Sequence, residues 1–342
     1  MRIGIDFGGT KTEVVALHAR NGKELYRHRV PTKKGDYDAT IKTMVDLVLS
    51  AEEATGQAGT VGICIPGPIY TSTGLTGCPN TPWINDRPFK QDIEKALGRE
   101  IRIENDANCF VVSEATDGAA AGKNNVFGMI IGTGCGGGFY INGQVVSGLN
   151  GLAGECGHIP LPYPRVYTTD GLKGEFNTSG DTPRDGLPIY ETTDPAWSEY
   201  PGEAWKCGRR GTWETWISGT GFKMDYKRVT GTEISTHDII EDANNGDKDA
   251  LDALDRYYDR IARSLSLVIN LIDPEVIVLG GGMSNVSQIY SAVPKLWGNY
   301  VYADKVLTEL KPPRHGDSSG VRGAAWLWPK EKSPAPHLKK TR

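Results

Sequence analysis

The stretch IGIDFGGTKTEVVAL, Ile3 to Leu17, decides how the rest of the chain is read. Apolar residues at Ile3 and Ile5, and again from Val14 to Leu17, flank a glycine turn, which predicts strand, turn, strand. The design recurs at 125–143, where an apolar strand (VFGMII), a glycine turn (GTGCGGG) and a strand (FYI) run into the turn residues Asn142 and Gly143. Two copies of one supersecondary unit imply two similar lobes facing each other. Length agrees: 342 residues exceed one ordinary core at about 150 residues per domain.

Outward from the first turn, Asn21-Gly22 marks a second hairpin with a third strand at 24–30. Ile41, Met44, Val45, Leu47, Val48 and Ala51 fall at helical spacing and predict a helix over 37–55, closed by Gly56. TVGICI at 60–65 reads as a strand ended by the PGPI turn, 89–97 as a short helix, 99–104 as a strand and 108–121 as a small-residue helix. The segment 161–205 is rich in Pro, Gly, Thr, Asp and Tyr without a sustained period, and is read as an insertion. Short helices are expected at 219–229 and 236–244. A long amphipathic one is expected at 247–272, with Leu251, Leu254, Tyr258, Ile261, Leu265, Val268 and Ile269 on one face. Asp273-Pro274 stops it, an apolar strand at 275–279 ends in Gly280 to Gly282, and a final helix spans 319–328. The fold class is therefore α/β with two lobes and a cleft. The small lobe is placed at 1–115 plus 318–329 and the large lobe at 116–317, with 330–342 a disordered tail rich in Pro and Lys.

Composition narrows the partners. Thirty-eight basic and forty-two acidic residues leave a net charge of −4 and no basic stripe, which argues against nucleic acid and membrane surfaces. No stretch of about 18 apolar residues occurs and no secretory hydrophobic region opens the chain, so a cytoplasmic protein with small-molecule partners is expected. Six scattered cysteines without a CxxC pair read as reduced thiols.

Several motif matches are accidental. Gly132, Gly134 and Gly137 satisfy G-x-G-x-x-G, but a strand follows where a dinucleotide site needs a helix. Asp6-Phe7-Gly8 has no kinase catalytic loop upstream, and no G-x-x-x-x-G-K-[ST] exists. What remains is a pair of hairpins suited to phosphate. Gly8 and Gly9 leave backbone N–H groups open to anionic oxygens, Thr10 adds a hydroxyl, Lys11 a charge, and Asp6 reaches magnesium through water. A plain hairpin with flexible glycines is the other reading of that turn alone. The second turn, with Thr133, would clamp a polyphosphate from the opposite side. In IENDAN, 103–108, a strand delivers Asp106 to the cleft as a candidate general base, unless it caps the helix that follows. Glu155 and His158 of GECGH place an acid and an imidazole on a glycine frame suited to a polyol, although a structural histidine is also consistent with the motif.

Together DFGGTK, PGPI, ENDAN, IIGTGCGGG, GECGH, WETWISGTG and VIVLGGGMSN resemble the ROK family of sugar kinases, and they span nearly the whole chain. The resemblance implies an actin-like, ribonuclease H-like ATPase fold, with ATP and Mg²⁺ as cofactors, a hexose as substrate and a homodimer as the family expectation. It makes Asp106 the catalytic base and assigns the sugar to Asn80, Asn105, Glu155, His158 and Glu214. Asp6, Gly8, Gly9, Thr10, Lys11, Thr12, Thr133 and Gly134 would hold phosphates and magnesium, with Gly281, Gly282 and the turn at 283–285 beside the nucleoside. RHGDSSGVRGAAWLWP and NTPWIND look closest to the bacterial fructokinase and mannokinase branch, so the expected reaction is phosphoryl transfer to the 6-hydroxyl of fructose or mannose. A glucokinase or N-acetylhexosamine kinase of the same family is one alternative, and a catalytically weak sugar-sensing protein is the alternative of another functional class. Many members also bind zinc through the motif histidine and three cysteines. Here Trp205 and Thr212 stand at two of those positions and only His158 and Cys207 are left, so no zinc is expected.

Overall fold

The computed structural model describes residues 1–70, 72–167, 190–205 and 207–329. The expected tail at 330–342 and the centre of the insertion, 168–189, lie outside the described residues. In the first half, β1 (Arg2–Phe7), β2 (Lys11–Leu17) and β3 (Glu24–Pro31) form an antiparallel meander. α1 (Tyr37–Thr55) starts where the Asp36 carboxylate accepts from the Ala39 N–H at 2.9 Å, and stops at the left-handed Gly56. β4 (Thr60–Ile65) pairs parallel with β1, α2 (Phe89–Leu97) follows, and β5 (Arg102–Asn105) pairs parallel with β4. α3 (Asp106–Thr116) leaves directly from β5.

The second half repeats this. β6 (Val126–Ile131), β7 (Cys135–Ile141) and β8 (Gln144–Val146) form another meander. β9 (Arg165–Tyr167) and β10 (Tyr190–Thr192) pair across the described ends of the insertion, followed by α4 (Trp213–Ile217), α5 (Gly219–Thr230), α6 (Thr236–Asn244) and α7 (Lys248–Ile272). β11 (Val276–Gly280) pairs parallel with β6, α8 (Ile289–Leu296) follows, β12 (Glu309–Lys311) pairs parallel with β11, and α9 (Ser319–Trp326) closes the described chain. The strand orders are β3-β2-β1-β4-β5 and β8-β7-β6-β11-β12, the same arrangement twice. The two glycine turns therefore mark a repeat of whole five-stranded sheets. No helix among the described residues is long and apolar enough to cross a membrane.

The two halves are tied by exchanging helices. α3 follows the first sheet yet packs on β6 and β7, while α9 follows the second sheet and packs on β1 and β4. Glycines set the spacing. A Cβ on Gly138 would stand 2.6 Å from the Ala107 carbonyl oxygen, and one on Gly62 would overlap the Ala324 carbonyl. Between the sheets α3 and α9 pack on each other, where Gly323 lies against the Cys109 carbonyl.

Some expected boundaries move. β5 starts at Arg102, three residues later than expected, and α3 begins at Asp106 because Asn105 caps it. α3 ends at Thr116, not 121, where the buried Glu114 carboxylate turns back to accept from the Ala119 N–H at 2.7 Å. The last helix stops at Trp326 rather than 328. Short strands β8 and β12 carry too few residues for a periodic signal.

The face of α7 opposite its apolar stripe is also buried. Leu254, Ile261, Leu265, Val268 and Ile269 enter the core as expected and Leu251 stays exposed, but Arg256, Arg260 and Arg263 are each no more than 1% exposed. Glu199, from the end of the insertion, accepts from Arg260 Nε at 2.8 Å and Arg263 Nη2 at 2.6 Å. Asp225 of α5 accepts from Arg256 Nε at 2.9 Å and pairs with Arg260 Nη1 at 2.9 Å, and Asp259 pairs with Arg263 and Arg165. Burial alone would raise the Glu199 and Asp225 pKa values, but the surrounding guanidiniums overcompensate and hold both below the usual carboxylate range. The described ends of the insertion are thus clamped to α7 by charge.

Removing one carboxylate strands buried arginine charge, so Glu199→Gln is expected to cost about 3–5 kcal/mol, measured by urea unfolding. Because the folded-state pKa values of Glu199, Asp225 and Asp259 are depressed, their stabilisation is present above the unfolded carboxylate pKa of about 4 and is lost as pH falls through the folded values. The melting temperature of the wild type should accordingly drop on acidification below about pH 4, and by less in Glu199→Gln.

Candidate active site

β5 and α3 meet without a loop, and the first two side chains of that junction divide the work. Asn105, the last residue of β5, keeps extended backbone angles, and its Oδ1 accepts from the Asn108 N–H at 2.7 Å. The cap is Asn105, which overturns the reading of Asp106 as the capping residue and turns the Asp106 carboxylate to the cleft. Asp106 accepts from its neighbour's Ala107 N–H at 2.8 Å and is otherwise open to a cavity of about 840 Å³ between the sheets. Protein mass around the cavity floor raises the Asp106 pKa above the usual carboxylate value, and the Ala107 N–H offsets part of that. Asp6, at the end of β1 beside Cys64 of β4, is pushed up to about 6, first by burial and then by repulsion from Asp106 and Glu13. Asp106 lines the cavity and Asp6 lies behind it, outside the lining, close enough for the two carboxylates to repel, a hard-oxygen pair of the kind that suits a divalent cation such as Mg²⁺.

The same cavity gathers every expected sugar residue: Asn80, Asn105, Glu155, His158 and Glu214 all line it with Asp106. Glu155 and His158 Nε2 lie 3.8 Å apart, and burial raises the Glu155 pKa against the opposing pull of His158. Glycines bring GECGH onto the second hairpin, since a Cβ on Gly154 or Gly157 would overlap the Gly137 or Cys135 carbonyl. Glu214 is held at both oxygens: Oε2 accepts from the Cys135 N–H at 2.8 Å and Oε1 accepts from the Trp205 indole N–H.

A second cavity of about 930 Å³ opens on the far side of the β6–β7 turn, and Gly132 and Thr133 line both. Gly134 faces the first cavity and Gly282 the second. Gly281 has φ 78° and lies under the Ile131 carbonyl, which only a glycine allows, so the β11 turn sits directly beside the β6 turn. Met283 and Asn285 line this cavity, together with Thr220 and Lys223 of α5 and His237 and Glu241 of α6. Thr220 Oγ1 donates to the Thr133 carbonyl at 2.8 Å, anchoring α5 to the turn.

The first hairpin contributes less directly than expected. Gly8 N–H donates to the Lys11 carbonyl at 3.0 Å, and Gly9 packs against the Asn80 backbone. The hairpin, including Thr10 and Lys11, lies behind Asn80 and lines neither cavity. Thr12 is buried, its hydroxyl 3.0 Å from Thr32 Oγ1, and Thr32 donates to the Gly8 carbonyl at 2.7 Å. Thr12 therefore braces the hairpin from beneath, because its place in β2 points it away from the cleft. Sequence reasoning missed Arg209, which lines the first cavity, Lys223, which lines the second, and Trp205, which reaches the first only through Glu214. Trp205 sits in WKCGRRGTWE, where a cysteine pattern draws attention to what is missing and away from the indole.

The donors present do not make the expected family zinc site. Trp205 offers an N–H without a lone pair, and Thr212 is buried between backbone contacts, which leaves His158 and Cys207 where four ligands are needed. The one group of three potential metal donors among the described residues, His237, Asp238 and Glu241, is exposed on α6 and includes neither.

Comparison with known proteins fits this geometry. The ROK family profile matches residues 2–331. The chain is 39% identical over 328 residues to an N-acetyl-D-glucosamine kinase of Haemophilus influenzae, covering 96% of this chain and 99% of that one. It is 38% identical over 328 residues to the N-acetyl-D-glucosamine kinase of Pasteurella multocida, again covering 96% and 99%. The crystal structure of a ROK hexokinase from Thermus thermophilus superposes with a TM-score of 0.77 at 26% identity, over 95% of this chain and 97% of that one. The repeated sheets and exchanged helices are those of the two-lobed actin-like ATPase fold, and the chain belongs to the ROK family.

Proposed function

We propose that this protein is an ATP-dependent kinase that phosphorylates the 6-hydroxyl of N-acetylglucosamine. The observation that carries the proposal is the pair of cavities joined at Thr133, with Asp106 facing one and the Gly282 turn lining the other. The sugar binds between Asn80, Asn105, Glu155, His158 and Glu214, with its reacting hydroxyl at Asp106. The nucleoside lies along Gly282 and α6, and the γ-phosphoryl group crosses the Gly132 to Gly134 turn. Asp6 would hold magnesium, which when bound would neutralise charge on the phosphates. Asp106 takes the hydroxyl proton, which its raised affinity for protons favours, and such a base contributes about 10²- to 10⁴-fold. Positioning and charge account for the rest.

The relatives favour an N-acetylhexosamine over fructose or mannose. The structure also removes one support for the fructose reading. In RHGDSSGVRGAAWLWP, the Arg314 and His315 backbone N–H groups donate to Glu114, and His315 and Arg322 side chains engage Asp117. Those residues latch α9 to the end of α3 and line neither cavity, so they carry no sugar contact. In NTPWIND, Asn80 faces the cavity, whereas Asn85 Oδ1 accepts from the Cys78 N–H at 2.5 Å to shape the loop.

ADP release should be measured over N-acetylglucosamine, N-acetylmannosamine, glucose, mannose and fructose, with and without magnesium. The highest kcat/KM is expected for N-acetylglucosamine and only with magnesium. A preference for fructose returns the reading to a fructokinase, and no turnover on any sugar favours the sensor. Asp106→Asn is expected to lower kcat by about 10²- to 10⁴-fold while calorimetry still detects sugar binding. The folded state disfavours a charged Asp106, so the neutral amide should leave the melting temperature unchanged or raise it.

A further inference from the structure

Glu214 enters the cavity from α4, a helix of only five residues, and a carboxylate on so short an element needs outside support to hold one orientation. Two donors supply it, one per oxygen. The Cys135 N–H comes from β7 and the indole N–H from Trp205, so opposite edges of the carboxylate are pinned by different segments. With both oxygens engaged, the plane of the group is fixed and its remaining lone pairs are directed into the cavity.

Trp205 is itself fixed by backbone. Its N–H donates to the Arg209 carbonyl at 2.9 Å, its carbonyl accepts from Gly208 at 2.9 Å, and the Gly211 N–H donates to Glu203 at 3.0 Å. The resulting hairpin, 203–211, is stitched to the segment after GECGH. Leu161 N–H donates to the Gly211 carbonyl at 2.8 Å, Trp213 N–H to the Ile159 carbonyl at 2.9 Å, and Arg209 Nη1 to the His158 carbonyl at 3.0 Å. A ladder of main-chain bonds thus links His158, the hairpin and Glu214, the segments that a metal would otherwise have to cross-link.

We propose that Trp205 is a positioning residue of a metal-free site: its indole N–H sets the orientation in which Glu214 meets the sugar. The inference rests on the kinase reading for its effect on substrate, and on geometry alone for the indole–carboxylate bond. Trp205 touches Glu214 and acts through it.

Trp205→Phe keeps the ring and removes the donor. Loss of a hydrogen bond to a charged group corresponds to roughly a ten- to hundredfold change, expected here as a rise in KM for N-acetylglucosamine with KM for ATP and the melting temperature unchanged. A purely structural role for the indole would lower the melting temperature and move both KM values together, which overturns the proposal, as does an unchanged sugar KM. The bond is read independently of turnover by indole ¹⁵N–¹H spectra of tryptophan-labelled protein. The resonance absent from Trp205→Phe should lie at low field and move upfield in Glu214→Gln. If it does not move, the proposal fails even when the enzyme is active. If the wild type turns over no sugar, the kinase reading falls and the spectrum alone decides the bond. If Trp205→Phe does not fold, the resonance is assigned in the wild type through its connectivity to the Trp205 backbone amide, and its movement in Glu214→Gln still decides the test. Metal analysis of purified wild type should find no stoichiometric zinc; one zinc per chain removed by chelator together with activity also overturns the proposal.

Discussion

Close contact between helix and sheet backbones is the constraint on which the molecule depends. α3 and α9 approach strands nearer than any side chain permits, through Gly128, Gly138 and Gly280 on one side and Gly4 and Gly62 on the other. Each helix is donated by one sheet to the other, and they touch where Gly323 meets Cys109. Because α3 begins at the cleft and ends at the Glu114 and Asp117 latch, the placement of Asp106 and the joining of the two halves are properties of one helix. A substitution at these glycines acts on both together.

Much of this is legible from residues in order, because glycine turns between apolar strands are local signals. The repeat of strand, turn, strand is readable from DFGGTK and GTGCGGG, whereas the order of the five strands in each sheet appears only in the structure. The polar residues that line the first cavity are readable for a different reason: they sit beside glycine turns, which are themselves local signals. What escapes is anything set by tertiary partners. The periodicity of α7 marks one buried face but gives no sign that Arg256, Arg260 and Arg263 are buried too, since their partners arrive from Glu199 and Asp225. Likewise Asp106 is read as a possible cap because nothing in the sequence shows that the preceding Asn105 keeps extended backbone angles and accepts from the Asn108 N–H itself.

Specificity shows the same division. The motif that points toward fructokinases is a latch between α3 and α9, so its likeness reports how the halves are joined. Residues that line the first cavity are dispersed from Pro66 to Glu214, and no single run of sequence contains them. Around Glu214 the described contacts are the Trp205 indole and the Cys135 N–H, with main-chain bonds joining 159–161 to 211–213. An indole and a main-chain ladder need no ion from the medium, and their integrity is independent of metal supply.

The turn at Gly132 and Thr133 belongs to both cavities, and that shared wall has a thermodynamic meaning. On the proposed reading the two ligands lie against opposite sides of this one turn, so any shift that one of them imposes on it changes the wall that the other meets. The two binding equilibria are then linked, and by reciprocity the sugar strengthens nucleotide binding by the same factor as the nucleotide strengthens the sugar's.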